Sequence, residues 1–518
     1  MKKSLVAVSV IVVLGAAWAG ASWHTGKLIE QRMGEMVDNA NSQLKTYLPQ
    51  FGLKLSYENY QRGIFSSQIR YVLRSDDAVT SDSSLLKAGE EVAFLETVSH
   101  GPLPIAQLKR FNLIPSLASI HTELENTPKV KALFDITNGK SLFTAETRIA
   151  YSGDTSSAID VIPIDYQKDK STLKFSGATF DADIGRDLQT MVLNGNSDST
   201  TISGLNQLGQ LEQVTLQGLT LKSDARKGQF DISLGEQTLG LKQVKVTIDG
   251  KETVSLEDVA MGSLLDEKGT KLNGAFDYTL GAMKIMGNDF GSGKLLLKID
   301  NLDGNALKTF AENYNQQAMA MLQQSETMNP IAYQEKTAEI LAQNLLLLLK
   351  GNPTISIAPL SWKNSKGEST FTLNLDLLEP TQAAAPAASL DQLLGQSVKK
   401  LDAVLTIPTA MAAETVAQAV QLQGYSAEEA QKIAQQQIQS LATTGQMFQL
   451  TTLKDDVISS TFRYSDNQIE LNGKKMSPQD FAGLFSMLGL APAAPAPAGQ
   501  DNAPAQGGAI PDQPTLEQ

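Results

Sequence analysis

Cysteine is absent from the 518 residues, and histidine occurs three times, at His24, His100 and His121. Without thiols the chain forms no disulfide and no thiolate zinc or iron–sulfur site, and it offers no cysteine nucleophile. Basic charge is in deficit: 43 Lys and Arg face 56 Asp and Glu, a formal charge of -13. Such a surface has no general attraction for phosphate backbones, so nucleic acid is not expected as a partner. Aromatic residues are 6% of the chain, but hydrophobic residues make up 42%, enough for a substantial core. Long apolar runs are also missing, with one exception at the N-terminus.

That exception is the uncharged stretch from Ser4 to Ser22, preceded by Lys2 and Lys3 and followed by Lys27. As a helix it is about 28 Å long, close to the roughly 30 Å hydrocarbon core of a bilayer. It predicts a cytoplasmic stub at 1–3 and a transmembrane anchor at 4–23, with the N-terminus cytoplasmic and the bulk on the opposite side. Ala19-Gly20-Ala21 also fits a signal-peptide cleavage site. Retention is the favoured reading, because Trp18 and Trp23 suit an exit interface and helical periodicity runs on through the would-be cut. Ile29, Met33, Met36, Ala40 and Leu44 continue it as one stripe of an amphipathic stalk helix over 24–48.

After Pro49 the period changes. Leu53, Leu55 and Tyr57, then Phe65, Ile69, Tyr71 and Leu73, share one parity around Arg62-Gly63, the signature of a hairpin. Alternating runs at Phe143–Tyr151, Ile162–Tyr166, Phe230–Leu234, Val244–Ile248 and Leu295–Ile299 extend a β-rich region over 49–304. Between Leu216 and Leu219 the apolar parity slips across Gly218, as a bulge would leave it. A helical pair plus hairpin is expected over 305–378, with Asn305 as the first N-cap and Leu345–Leu349 covered on all sides. A linker at 379–389 precedes an α+β part over 390–490, in which Ser426 and Glu429 have capping-box spacing. The Pro- and Ala-rich tail, 491–518, is expected to be disordered. The fold class is therefore α+β: anchor, stalk helix, and a large twisted antiparallel sheet with packed helices.

Several segments together resemble the YdgA family, enterobacterial proteins built on a conserved domain of unknown function. They are the Lys2-Lys3 anchor, Tyr60 to Ser67, His100-Gly101-Pro102, Leu113 to Ser116, Tyr151 to Asp154 and Ala358 to Asn364. The resemblance covers nearly the whole chain short of its tail. It implies an inner-membrane anchor and a periplasmic domain in a Gram-negative cell. It transfers no catalytic residue.

The residues themselves give catalysis little material. Gly291-Ser292-Gly293-Lys294 imitates a phosphate loop, but Leu295 replaces the hydroxyl and a strand follows instead of a helix. His100 reads as a turn residue and His24 as an interfacial one; no cofactor or metal is expected. Arg62, Gly63, Ser66 and Ser67 form a candidate binding cluster, against the simpler reading of a tight turn with Gly63 at positive φ. The expectation is a non-enzymatic envelope protein whose sheet holds a lipid or other apolar ligand. A homodimeric scaffold pairing through Ile29, Met33, Met36, Ala40 and Leu44 is the alternative. A hydrolase using His100 or His121 with carboxylates is the weaker one.

Overall fold

The structure, a computed structural model, describes residues 2–47, 51–76, 86–322, 330–380 and 396–481. Of residues 2–14 and 46–47 and of parts of the helices between 304 and 349 it describes the backbone only. The expected linker and tail lie largely or wholly outside these residues.

One antiparallel sheet of 22 strands organises the chain. Strands β1 (Leu53–Arg62), β2 (Ser66–Ser75), β3 (Glu91–His100), β4 (Ala118–Leu124), β5 (Phe143–Ile149) and β6 (Thr155–Val161) pair in chain order. The hairpin of β7 (Ile164–Lys168) and β8 (Ser171–Phe175) then intervenes. β9 (Ala178–Ile184) returns to β6, and β10 (Thr190–Leu205) pairs with both β8 and β9. Five long strands follow as a meander: β11 (Leu211–Lys227), β12 (Ser233–Ile248), β13 (Lys251–Lys268), β14 (Lys271–Ile285) and β15 (Asn288–Asp303). β16 (Thr354–Asn364), β17 (Gly367–Leu377) and β18 (Val398–Pro408) continue it. β19 (Thr452–Lys454), β20 (Val457–Ser465), β21 (Gln468–Leu471) and β22 (Lys474–Met476) close the far end, β20 lying beside β18.

The turns explain the meander. Asp249-Gly250 and Met286-Gly287 have both central residues at positive φ, the two-residue geometry whose twist matches flanking strands. Asp455-Asp456 does the same, which accounts for that acidic pair as turn chemistry. At Gly218, φ is 64° and the pairing lapses there and at Lys242, Asp258 and Gly281 on the next three strands. A Cβ on Gly218 would lie 2.8 Å from the Cβ of Lys242. The parity slip in the sequence is thus a crease running across the sheet, and glycine is what lets the backbones meet.

Register places one row of side chains on a single face, since directly paired residues point the same way. Ile69, Glu96, Thr122, Ala145, Ile159 and Phe180 stand opposite one another in turn from β2 to β9. Through Gly195 on β10 the row continues as Leu221, Leu239, Met261, Tyr278 and Leu295. Leu360, Phe371 and Leu405 complete it.

Seven helices complete the described elements. α1 spans Lys2–Tyr47, and the short α2 (Ile105–Leu108) and α3 (Lys131–Ile136) sit in loops of the first strands. α4 (Gly304–Leu322) and α5 (Pro330–Leu349) form the expected helical pair. Asp303, not Asn305, accepts from the Ala306 amide at its start. Leu349 is buried against Leu377, yet Leu346 is half-exposed, so the leucine run is covered on one side only. α6 (Thr409–Gln421) and α7 (Ala427–Met447) pack through Ala417, Ala430, Ala434 and Ala442 onto Ile407 and Ile458 of the sheet. Ser426 and Glu429 form the capping box at the start of α7. Phe230 and Ile232 belong to a turn rather than to the expected strand, where Phe230 packs with Leu234 and Leu272.

Among the described residues no helix is long and apolar enough to cross a membrane. Within the segment expected as the anchor, 4–23, Trp18 is a packing residue, stacked 4.7 Å from Phe65 and donating to the Leu103 carbonyl at 3.0 Å.

Candidate functional site

α1 lies across the first strands and is held there by specific contacts. Gly26 faces His100 so closely that a Cβ would fall 2.3 Å from His100 Cε1. His100 is buried; its Nδ1 lies 3.1 Å from the Ile64 carbonyl and its Nε2 lies 2.8 Å from Ser67 Oγ. The carbonyl can only accept, so Nδ1 carries the proton and the Ser67 hydroxyl donates to Nε2. Burial holds the imidazole pKa below its ordinary value, which keeps it neutral for that role. Tyr60 OH touches Ser67 Oγ at 3.1 Å. Further along, Asn41 bonds both backbone groups of Leu55 at 2.9 and 2.7 Å, covering part of the edge strand β1.

Between the docked helix and the sheet runs a cleft of about 630 Å³, a size suited to a lipid chain or drug-sized molecule. Met33, Met36 and Ala40 form its roof, and Ile69, Phe94, Val98, Ile120 and Ile149 its floor. Ile29 and Met33 belong to the buried cluster with Ile69, Val98 and Ala118, and past Ala40 the Asn41–Leu55 bonds hold the helix again, so the roof is pinned on both sides of the exposed Met36. Two polar groups interrupt the apolar lining. Tyr71 OH points at Met33 Sδ, 3.0 Å away, and burial raises its pKa. Glu96 accepts from Thr122 Oγ1 at 3.2 Å, and burial raises its pKa as well, because little around it compensates a charge. Arg32, Glu35, Arg186 and Asp187 stand among the lining residues, and among the described residues Arg32 makes no ion pair.

The residues singled out from sequence are distributed unequally around this cleft. Ile29, Met33, Met36 and Ala40 line it, and Leu44 is half-buried further along the helix. Their stripe is turned toward the chain's own sheet, leaving Met36 as its exposed member. Arg62 clamps α1: its Nε lies 2.9 Å from Glu30, and its guanidinium stands over the Trp23 ring at 5.4 Å. Gly63 does not supply the positive φ expected of it; Asn59 does, at 52°, beside a bulge in the hairpin. Ser66 is exposed, whereas Ser67 is sealed in the His100 network.

The histidines do not assemble a hydrolytic centre. His100 has a hydroxyl partner but no exposed surface, and its other contact is a backbone carbonyl. His121 has a carboxylate, Glu146, 2.9 Å from Nδ1, and Arg110 binds the same carboxylate oxygen at 2.7 Å. Among the described residues, an exposed hydroxyl nucleophile, a histidine base and a carboxylate orienter stand together at neither. Gly26 and Glu96 went unmarked in the sequence, and Tyr71 is read there only as one of the hairpin's alternating residues. Glu96 carried a signal: an acid at an inward position of a strand whose neighbours Phe94 and Val98 are apolar.

The family described as "Bacterial protein of unknown function (DUF945)" matches residues 1–479. The chain is 43% identical to Protein YdgA of Escherichia coli (strain K12) over 500 residues, 96% of this chain and 99% of that protein. It is 30% identical to Uncharacterized protein YihF of the same organism over 489 residues, 92% and 98% of the two chains. An Uncharacterized protein of Haemophilus influenzae is 23% identical over 322 residues, 60% of this chain and 84% of that one. No solved structure matches. A match over the first 479 residues, with the YdgA resemblance spanning nearly the full length of both proteins, places this chain in the DUF945 family of bacterial proteins of unknown function.

Proposed function

We propose that the protein is a membrane-anchored, non-enzymatic envelope protein that holds the apolar part of an amphipathic lipid in the cleft between α1 and the sheet. The observation that carries this reading is the cleft itself: an apolar floor, an apolar roof pinned on either side of the exposed Met36, and an acid, Glu96, where the floor turns polar. A pocket that served only as core would be filled, because protein interiors pack without voids of this size. Arg32 adds a cation at the lining, suited to an anionic headgroup.

Anchoring is supported by the apolar run from Ser4 and by what lies beside the docked helix. Trp18 bonds the base of the loop 103–116, whose ends are joined by Ser116 N donating to the Pro102 carbonyl at 2.9 Å. That loop exposes Phe111 at 93%, with Leu113 and Ile114 also exposed, side chains suited to the bilayer interface that the apolar run would enter. Cleavage after Ala21 would remove the Trp18 contacts and leave buried Ser22 as a free amino terminus.

The test is lipid binding by the full chain, purified in mild detergent and exchanged into vesicles. A fluorescent fatty acid should saturate one site, and Ala40→Trp, which fills the cleft mouth, should weaken it at least tenfold. Binding unaffected by Ala40→Trp and by Met36→Lys rejects the cleft as the site. Alkaline carbonate extraction tests the anchor: the intact chain should stay with membranes, and release of a form beginning at Ser22 rejects it.

A further inference from the structure

The cleft is one end of a longer apolar track, and we propose that acyl chains of membrane lipids pass along this track, from beneath α1 across the long meander toward β18. The proposal rests on the reading of the cleft as a lipid site and extends it from storage to passage. Its basis is register. The row that starts at Ile69 and Glu96 on the cleft floor continues without a charged residue through Leu239, Met261, Tyr278 and Leu360 to Leu405. It crosses fifteen strands, and fourteen spacings of about 4.8 Å make it about 67 Å long measured along the sheet.

The next row, on the opposite face, is of another character. Thr220, Gly240, Ala260, Thr279, Lys294 and Ser361 stand opposite one another there, with no large apolar side chain among them. Along these two rows the meander has one line suited to water and one suited to hydrocarbon; Leu264, 49% exposed, stands on the polar face beside the first. On the apolar face the glycines do not open gaps. The Phe180 ring occupies the space over Gly195, and the Trp362 ring that over Gly293, each closer than 3 Å to where a Cβ would be. An aromatic ring laid over a strand glycine restores the missing packing surface.

Helices cover the ends of this face and leave its middle open. At one end α1 packs on Ile69 and Val98; at the other the end of α5 packs on Ile355 and Leu375, and α6 with α7 packs on Ile407 and Ile458. Between them Leu239, Met261, Tyr278 and Leu360 are each 40–46% exposed. Four such side chains in one line, with half-buried Leu295 between Tyr278 and Leu360, make a patch of on the order of 300 Å², the size at which apolar surface marks a binding site. Length and continuity select the occupant. One leaflet of a bilayer is about 15 Å of hydrocarbon, so a single bound lipid needs only the cleft, whereas the track accommodates chains end to end. It starts under the helix whose N-terminal run is the chain's most apolar segment.

Site-specific photo-crosslinking tests the path. Benzoylphenylalanine is placed singly at Met36 in the cleft, at Met261 and Leu360 on the track, and at Thr279 on the opposite face. The full chain is reconstituted in phosphatidylethanolamine–phosphatidylglycerol vesicles with a trace of radiolabelled phosphatidylglycerol. Label at Met36, Met261 and Leu360, each at least tenfold above Thr279, is the expected result. Label at Met36 alone overturns the track and leaves the cleft reading standing; label no higher than Thr279 at all three positions overturns both. Crosslinked dimers at Met261 in place of lipid assign the face to a second copy and also overturn it. The double variant Leu239→Asp, Met261→Asp should cut label at Leu360 tenfold and spare Met36; unchanged label at Leu360 overturns passage along the row.

Discussion

Gly26→Ala is the sharpest perturbation of the docked helix, and its size follows from one distance. The added Cβ would sit 2.3 Å from His100 Cε1 and 2.5 Å from Nδ1, where carbon atoms prefer about 3.5–4.0 Å. Either α1 lifts by more than 1 Å or the imidazole turns. Turning breaks the bonds to Ser67 and Ile64, worth about 0.5–1.5 kcal/mol each. Overpacking of this kind costs about 1–3 kcal/mol, which is about fivefold to 150-fold in the docking equilibrium. The control is in the same helix: a Cβ at Gly34 meets nothing within 4 Å, so Gly34→Ala should gain up to about 1 kcal/mol of helix propensity. Hydrogen exchange of the amides in α1 from Thr25 to Val37 reads the opening directly. Faster exchange by at least fivefold in Gly26→Ala, with no increase in Gly34→Ala, is expected. Equal rates in the two variants would refute the argument that the Gly26–His100 contact holds the helix down.

The pH dependence of docking should follow His100. Its pKa in the folded protein is below the ordinary 6.5, so the undocked form takes up the proton more readily. The stability from neutral His100 is then complete above about 6.5 and is lost as pH falls through that value; Arg62 disfavours the imidazolium further. Protection factors in α1, which remove the intrinsic pH dependence of amide exchange, should fall between pH 6.5 and 5, and His100→Gln should flatten that profile. Glu96→Gln should act in the opposite sense: the carboxyl pKa is raised, so the folded form favours the neutral acid and loses stability as pH rises through that value. At pH 7 the amide variant should melt no lower than the parent, and a fall in melting temperature would contradict it. Arg70 bonds Glu58, Glu91 and Glu125 at 2.6–2.8 Å. Arg70→Met takes the cation from Glu125 and leaves Glu58 and Glu91 to Arg74 alone, and should cost about 1–3 kcal/mol in urea unfolding, less at high salt.

How far the sequence reaches depends on how local the cause is. The hairpin around Arg62-Gly63, the crease at Gly218 and the Ser426–Glu429 cap are each set by residues within a few positions, and each is found where the pattern placed it. The misreadings are local as well but turn on competition between neighbours. Asp303 outcompetes Asn305 as the cap, Asn59 rather than Gly63 takes the positive φ, and Phe230 fills a core from a turn. The cleft was not legible, because its roof comes from residues 29–40 and its floor from strands up to Ile149. The stripe of Ile29, Met33, Met36 and Ala40 announced a surface in need of a partner, but periodicity does not say whether that partner is a second copy or the chain's own sheet.

A sheet with one apolar face ordinarily buries it against a second layer, and here the layer is incomplete. Helices cover the two ends, and the middle keeps leucine, methionine and tyrosine in water. If that exposure were incidental, charges would cost nothing there and would be expected along the row. Instead the charged residues fall on the other face, as at Lys294, while the row itself runs from Thr122 to Leu405 without one. The same economy appears at the glycines, where aromatic rings lie over backbone that would otherwise be bare. Single substitutions should therefore be asymmetric: Thr279→Asp on the polar face should leave solubility and melting unchanged. Met261→Asp should make the lipid-free protein more soluble while weakening its capture of vesicle lipid. Equal behaviour of the two variants in both assays would show that the apolar face has no occupant.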